Sequence, residues 1–137
     1  MSRVIFASHG GLSKGMKDSV SMIVGDLAKD VETYSLLPGQ NPEDFYQEVL
    51  KEAKESEEQI LILCDIKGGS VHTALSKLAV LDNVMVFSGM NMGLALDAVM
   101  KSLGGNLELA DANDLIKAAK EGMTVMNGMT SEDDEDF

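Results

Sequence analysis

Four times in succession this chain passes from a short apolar run into a segment of helical periodicity. The runs are Arg3–Ala7, Val31–Leu37, Gln59–Asp65 and Asn83–Ser88. Such runs read as strands buried on both faces, and strands alternating with helices form parallel sheets through crossover connections. The pattern predicts an α/β fold, a doubly wound and mostly parallel sheet covered on both faces. The third run contains Ile60-Leu61-Ile62-Leu63-Cys64 and is the most hydrophobic, so it is expected near the centre.

The helices have their own signals. The first is expected over Ser13–Ala28, with Met16, Val20, Ile23, Val24 and Leu27 on one face. After the Pro38-Gly39 turn, Asn41 can cap a second helix, Pro42 suits its first position, and Glu43 and Asp44 favour its positive end. Phe45, Val49, Leu50 and Ala53 form its buried face. A third helix is predicted over Ser70–Leu81, a fourth from an Asn91 cap to about Gly104-Gly105, and a fifth from an Asp111 cap to Gly122. A β-like run, Met123–Met129, closes a single domain over residues 1–129. The acidic tail, residues 130–137, has no apolar period and is expected to be disordered.

Composition narrows the function. The formal net charge of −12 repels phosphates and anionic lipid, which argues against nucleic-acid and membrane-surface binding and favours a basic protein partner. No run approaches the roughly 20 apolar residues of a membrane span, and the first residues lack a signal-peptide pattern. With one cysteine, Cys64, in an apolar run, the expected compartment is the cytoplasm and the expected role of Cys64 is core packing. Two histidines and scattered acids show no metal-ligand spacing, and neither a Walker A loop nor a G-x-G-x-x-G fingerprint is present. No metal or organic cofactor is expected.

Three loops should meet on the carboxyl edge of the sheet, where open α/β sheets place their reactive groups. They are Ser8-His9-Gly10-Gly11, Asp65-Ile66-Lys67-Gly68-Gly69-Ser70 and Ser88-Gly89-Met90-Asn91. If the first and third strands are neighbours, Asp65 can fix the tautomer of His9 and leave one ring nitrogen as a nucleophile. Gly68, Gly69 and Ser70 can cradle an anion at a helix start. Plainer alternatives stand beside these: a loop histidine beside a turn, a capping Asp65, and a Gly-Gly-Ser turn. His72 reads either as a group supporting the site or as a surface residue.

With these loops together, the chain resembles the IIA domain of the mannose/fructose/sorbose class of the bacterial sugar phosphotransferase system, from about Arg3 to Gly128. Ser8-His9-Gly10 with Leu12 and Gly15 is similar to the family's signature around its phosphorylated histidine. Leu36-Leu37-Pro38-Gly39, Asp65-Ile66-Lys67-Gly68-Gly69-Ser70 and Ser88-Gly89-Met90-Asn91 are similar to its other three loops. The resemblance implies that His9 accepts a phosphoryl group from the phosphocarrier HPr and passes it to a IIB component, which serves membrane IIC and IID components. It implies Asp65 as the orienting partner, and Gly68, Gly69 and Ser70 as phosphoryl contacts. It also implies a homodimer in which Met123–Met129 crosses to the partner's sheet. IIB is expected on a separate chain. Lys67, Val71-His72 and Gly93 depart from the common pattern, so partner recognition is the role considered for Lys67, His72 and Asn91. A carrier serving a dihydroxyacetone kinase and a phosphohistidine-controlled regulatory module are the alternatives. A His9–Asp65 hydrolase is the remaining one, and it lacks a nucleophile motif.

Overall fold

A computed structural model describes residues 2–128. Four parallel strands, β1 (Arg3–His9), β2 (Glu32–Leu36), β3 (Ile60–Cys64) and β4 (Val84–Phe87), lie in the order β2-β1-β3-β4. The helices are α1 (Leu12–Val24), α2 (Pro42–Lys54), α3 (Ser70–Leu75), α4 (Met92–Ser102) and α5 (Leu109–Glu121). The doubly wound parallel sheet read from the sequence is the one observed.

The two-sided burial has a direct cause in the strand sequences. Successive strand residues point to opposite faces. Val4, Phe6, Leu61 and Leu63 therefore pack with Met16 and Val20 of α1 and with residues of α4 and α5. Ile5, Ala7, Ile60, Ile62 and Cys64 pack with Val49 and Ala53 of α2 and with Val71 and Leu75 of α3. All five residues of β3 are buried. Each fully buried Ile, Leu or Phe contributes about 1.5–3 kcal/mol, which makes these two clusters the main source of stability.

Several boundaries differ from the sequence reading. Helix α1 stops at Val24, because Gly25 takes a positive φ of 61° and a 3-10 turn, Gly25–Ala28, follows. Met16 and Val20 are buried as expected, but Ile23 is 63 % exposed and Leu27 50 %. Ile23 sits about 60° round the helix from Val20 and about 100° from Val24, and Leu27 lies beyond the helix. The third helix runs only to Leu75 before a 3-10 turn, Ser76–Val80. Asn41 and Asn91 cap α2 and α4 through Oδ1, as expected. Helix α5 is capped by Glu108; Asp111 sits at its third position and accepts the Glu108 N–H at 2.8 Å, forming a capping box. Residues 123–128 form no strand within the single chain, and Met123, Val125 and Met126 are exposed. Met129 and the acidic tail lie outside the described residues.

The strand order fixes where a site can form. The chain leaves β1 toward β2 on one side and leaves β3 toward β4 on the other. Helix α1 covers one face and α3 the opposite one. Connections that diverge in this way open a crevice at the carboxyl ends of β1 and β3, the switch point of a doubly wound sheet.

Candidate functional site

His9 is the last residue of β1, and Asp65 immediately follows β3. The parallel register pairs Ala7 with Cys64, so Asp65 follows at the level of Ser8, one residue short of His9 and within side-chain reach of it. The Asp65 Oδ2 accepts the His9 backbone N–H at 2.7 Å and also lies 2.7 Å from His9 Nδ1. A carboxylate can only accept, so Nδ1 carries a proton and donates it. Oδ1 accepts the Ile66 N–H at 2.8 Å. Three donors thus converge on one carboxylate whose side chain is 8 % exposed. Burial opposes its ionised form, but the hydrogen bonds from the His9 N–H, the His9 ring and the Ile66 N–H outweigh burial and hold the carboxyl below its ordinary value.

The other face of the ring is open to chemistry. The His9 side chain is 47 % exposed. With Nδ1 protonated, the neutral ring presents a lone pair at Nε2, and the Ser70 hydroxyl lies 3.0 Å from it. The arrangement is an oriented nucleophile: a carboxylate behind the imidazole, a free nitrogen in front, and a hydroxyl beside that nitrogen.

The backbone around His9 is tied down on both sides. The Ser8 hydroxyl accepts the Ser13 N–H at 2.8 Å, and the Ser13 hydroxyl donates to the Tyr34 carbonyl at 2.8 Å. The Gly10 N–H donates to Leu36 at 2.8 Å, anchoring the His9 loop to β2. Gly69 is needed for close approach. A Cβ there would lie 2.7 Å from Ile66 Cγ2 and 3.2 Å from His9 Cε1.

The sequence-selected residues separate into groups. His9, Asp65, Gly69 and Ser70 come together. Gly68, one residue before Gly69, gives its N–H to His72 Nδ1 at 3.1 Å, while the Gly69 N–H goes to the Ile66 carbonyl at 3.1 Å. In this conformation both glycine donors are committed within the protein. Lys67 is exposed and takes part in no ion pair among the described residues. Asn91 spends its side-chain oxygen on the Leu94 N–H. Cys64 is fully buried, and burial, with Asp65 adding to it, pushes its thiol up to about 12. No group of three or more potential metal ligands occurs among the described residues.

Sequence reasoning overlooked an apolar rim. Leu12 at the start of α1, Leu37 just after β2 and Ile66 just after β3 are 51 %, 51 % and 61 % exposed. The signal is an apolar residue inside each of three motifs, at Leu12, Leu37 and Ile66. A surface cavity of about 560 Å³ lies at the opposite edge of the sheet, lined among others by Val4, Leu27, Val31, Val99 and Leu103. At the His9 edge the imidazole is half exposed and can be reached by a reactive group carried on another molecule.

Known proteins are similar to this chain in sequence and in fold. The model of one family, described as the PTS system fructose IIA component (EIIA-man), matches residues 3–131. A sorbose-specific EIIA component from Klebsiella pneumoniae is 33 % identical over 101 residues, covering 72 % of this chain and 73 % of its own. The solved mannose/sorbose-specific IIA subunit from Enterococcus faecalis superposes with a TM-score of 0.77 at 24 % identity, over 94 % of this chain and 97 % of that one. A PTS IIA protein associated with the fucose utilization operon of Streptococcus pneumoniae gives 0.71 at 26 % identity, over 91 % and 96 %.

Proposed function

The chain belongs to the mannose/fructose/sorbose class of IIA components of the sugar phosphotransferase system, and from that premise we propose that His9 is its phosphoryl acceptor. HPr phosphohistidine is the donor and a IIB component the recipient. The observation that carries this reading is the His9 ring, bonded to Asp65 at Nδ1 and exposed beside Ser70 at Nε2.

Transfer begins with the Nε2 lone pair attacking phosphorus in line. A P–N bond forms at His9 as the P–N bond to the donor imidazole breaks, and that imidazole leaves with the bonding pair. Positive charge builds on the His9 ring and is met by the Asp65 carboxylate 2.7 Å away. The Ser70 hydroxyl, which faces the bare nitrogen before transfer, turns its proton to a phosphoryl oxygen afterward. Exchange between two phosphohistidines is close to isoenergetic, so positioning and charge stabilisation are the protein's main tasks. The acceptor imidazole of IIB reverses the step. Leu12, Leu37 and Ile66 supply apolar contact area for both partners.

The same reading includes a cytoplasmic homodimer. No described helix is long and apolar enough to cross a membrane. β4 ends the sheet with no neighbour on its outer side among the described residues, and Met123, Val125 and Met126 are exposed at 73 %, 91 % and 66 %. A tail strand from a second copy would cover that edge and bury those side chains.

The test is a transfer chain reconstituted from phosphoenolpyruvate, enzyme I, HPr, this protein and a IIB component of its class. Wild type should gain one acid-labile phosphoryl group by intact mass and lose it when IIB is added. His9→Ala should do neither. Labelling of His9→Ala, or an unlabelled wild type beside fully phosphorylated HPr and a related IIA control that does accept, would overturn the reading.

A further inference from the structure

We propose that His72 is a positioning residue of the His9 site, shaping the Asp65–Ser70 loop by accepting the Gly68 N–H at its Nδ1. The inference rests on the reading of His9 as phosphoryl acceptor. Gly68 is the loop residue in the left-handed region, at φ 80°, with its would-be Cβ in open space. Its two polar groups are both held by side chains of α3. The N–H reaches His72 Nδ1 at 3.1 Å, and the carbonyl accepts from Thr73 Oγ1 at 3.3 Å. These contacts set the direction in which the chain enters Gly69.

Gly69 is where that direction reaches the nucleophile. Its Cα packs so closely that an added Cβ would press on Ile66 Cγ2 and approach His9 Cε1. One residue on, Ser70 Oγ sits 3.0 Å from Nε2. A swing at Gly68 therefore moves the wall beside the His9 ring and the hydroxyl in front of it together. His72 acts on transfer through this backbone and needs no contact with the phosphoryl group.

The chemistry demands a particular form of His72. A backbone N–H can donate only to an unprotonated Nδ1, so the His72 ring is neutral with its proton on Nε2. That is the opposite tautomer to His9. The Gly68 bond is the ring's one hydrogen bond among the described residues.

Two substitutions separate this role from simple packing. His72→Leu keeps comparable bulk and removes the acceptor. His72→Asn places Oδ1 at a similar reach to Nδ1 and keeps it. Single-turnover transfer from phosphorylated HPr should be about tenfold slower in His72→Leu and within about threefold of wild type in His72→Asn. Urea midpoints measured alongside show whether each variant is folded. Nitrogen-15 NMR of the wild-type ring should show Nε2 protonated and Nδ1 bare. Leu at the wild-type rate, Asn as slow as Leu, or a ring protonated at Nδ1 would overturn the proposal. Where His72→Leu fails to fold, the Asn rate and the ring spectrum decide. A wild type that accepts no phosphoryl group would end the carrier reading instead, and the ring spectrum would still decide whether the Gly68 contact exists.

Discussion

Asp65→Asn removes a charge at almost constant volume, and the three hydrogen bonds at Asp65 determine its effect. With the amide oxygen toward His9, both 2.7 Å contacts persist, but the NH2 group then faces the Ile66 N–H, donor against donor. With the amide reversed, NH2 faces the His9 N–H, and the ring can bond it only by moving its proton to Nε2, which blocks attack. In neither pose does a negative charge answer the positive charge that builds on the ring during transfer. A charge-assisted hydrogen bond contributes about 1.5–3 kcal/mol. The His9 side chain is 47 % exposed, so solvent screening favours the low end, about 1.5 kcal/mol, or roughly tenfold in rate. The reversed amide would add to that loss. Rapid-quench measurement of transfer from phosphorylated HPr should find Asp65→Asn about 10- to 100-fold slower, with Asp65→Ala at least as slow. Transfer by Asp65→Asn within twofold of wild type would refute the role given to the carboxylate.

Gly69→Ala acts through contact alone, since φ −68° and ψ 166° suit any residue. It should lower urea stability by about 1 kcal/mol and slow transfer severalfold, while Gly15→Ala, in open space on α1, should raise stability by up to about 1 kcal/mol; equal effects would contradict the close approach. Ser70→Ala removes the hydroxyl beside Nε2 and should slow transfer about 3- to 10-fold, from a lost neutral hydrogen bond of roughly 0.5–1.5 kcal/mol, with the urea midpoint unchanged. Asp65 is more acidic in the folded chain than in the unfolded one. Its stabilisation is therefore full above the ordinary carboxyl value, about pH 4, and is lost as pH falls through the lower folded value. Asp65→Asn should flatten that acid limb of the stability curve, and an unchanged limb would count against the shift. Cys64, buried with its thiol pushed up to about 12, should resist alkylation in the native protein at pH 8; rapid labelling without unfolding would contradict its burial.

The parts of this fold legible in the sequence are those where one residue's environment follows from its near neighbours. Ile60-Leu61-Ile62-Leu63-Cys64 is apolar throughout, and a strand with that composition must be covered on both faces. Asn41-Pro42 and Asn91 carry their capping chemistry locally, and both cap as read. The meeting of His9 and Asp65 was conditional on β1 and β3 being neighbours, which the strand order supplies. What escaped depends on geometry between elements. Apolar residues continue through Ile23 to Leu27, yet Ile23 turns off the buried face and Gly25 ends the helix before Leu27, so both side chains face solvent. Asp111 has a capping side chain, but chain direction puts Glu108 at the cap. The Gly-Gly-Ser spacing suggested an anion cradle without showing that both glycine N–H groups already have acceptors. Sequence leaves His72 open between a group supporting the site and a surface residue, because its one ring contact among the described residues depends on the left-handed turn at Gly68.

The most direct measurement on the central claim is phosphorus and nitrogen-15 NMR of the ring-labelled protein after phosphorylation by HPr. One phosphorus coupled to Nε2 of His9, with Nδ1 still protonated and bonded to Asp65, is the expected result. A phosphoryl group on Nδ1, on another residue, or on none would contradict the assignment of His9 Nε2 as the nucleophile.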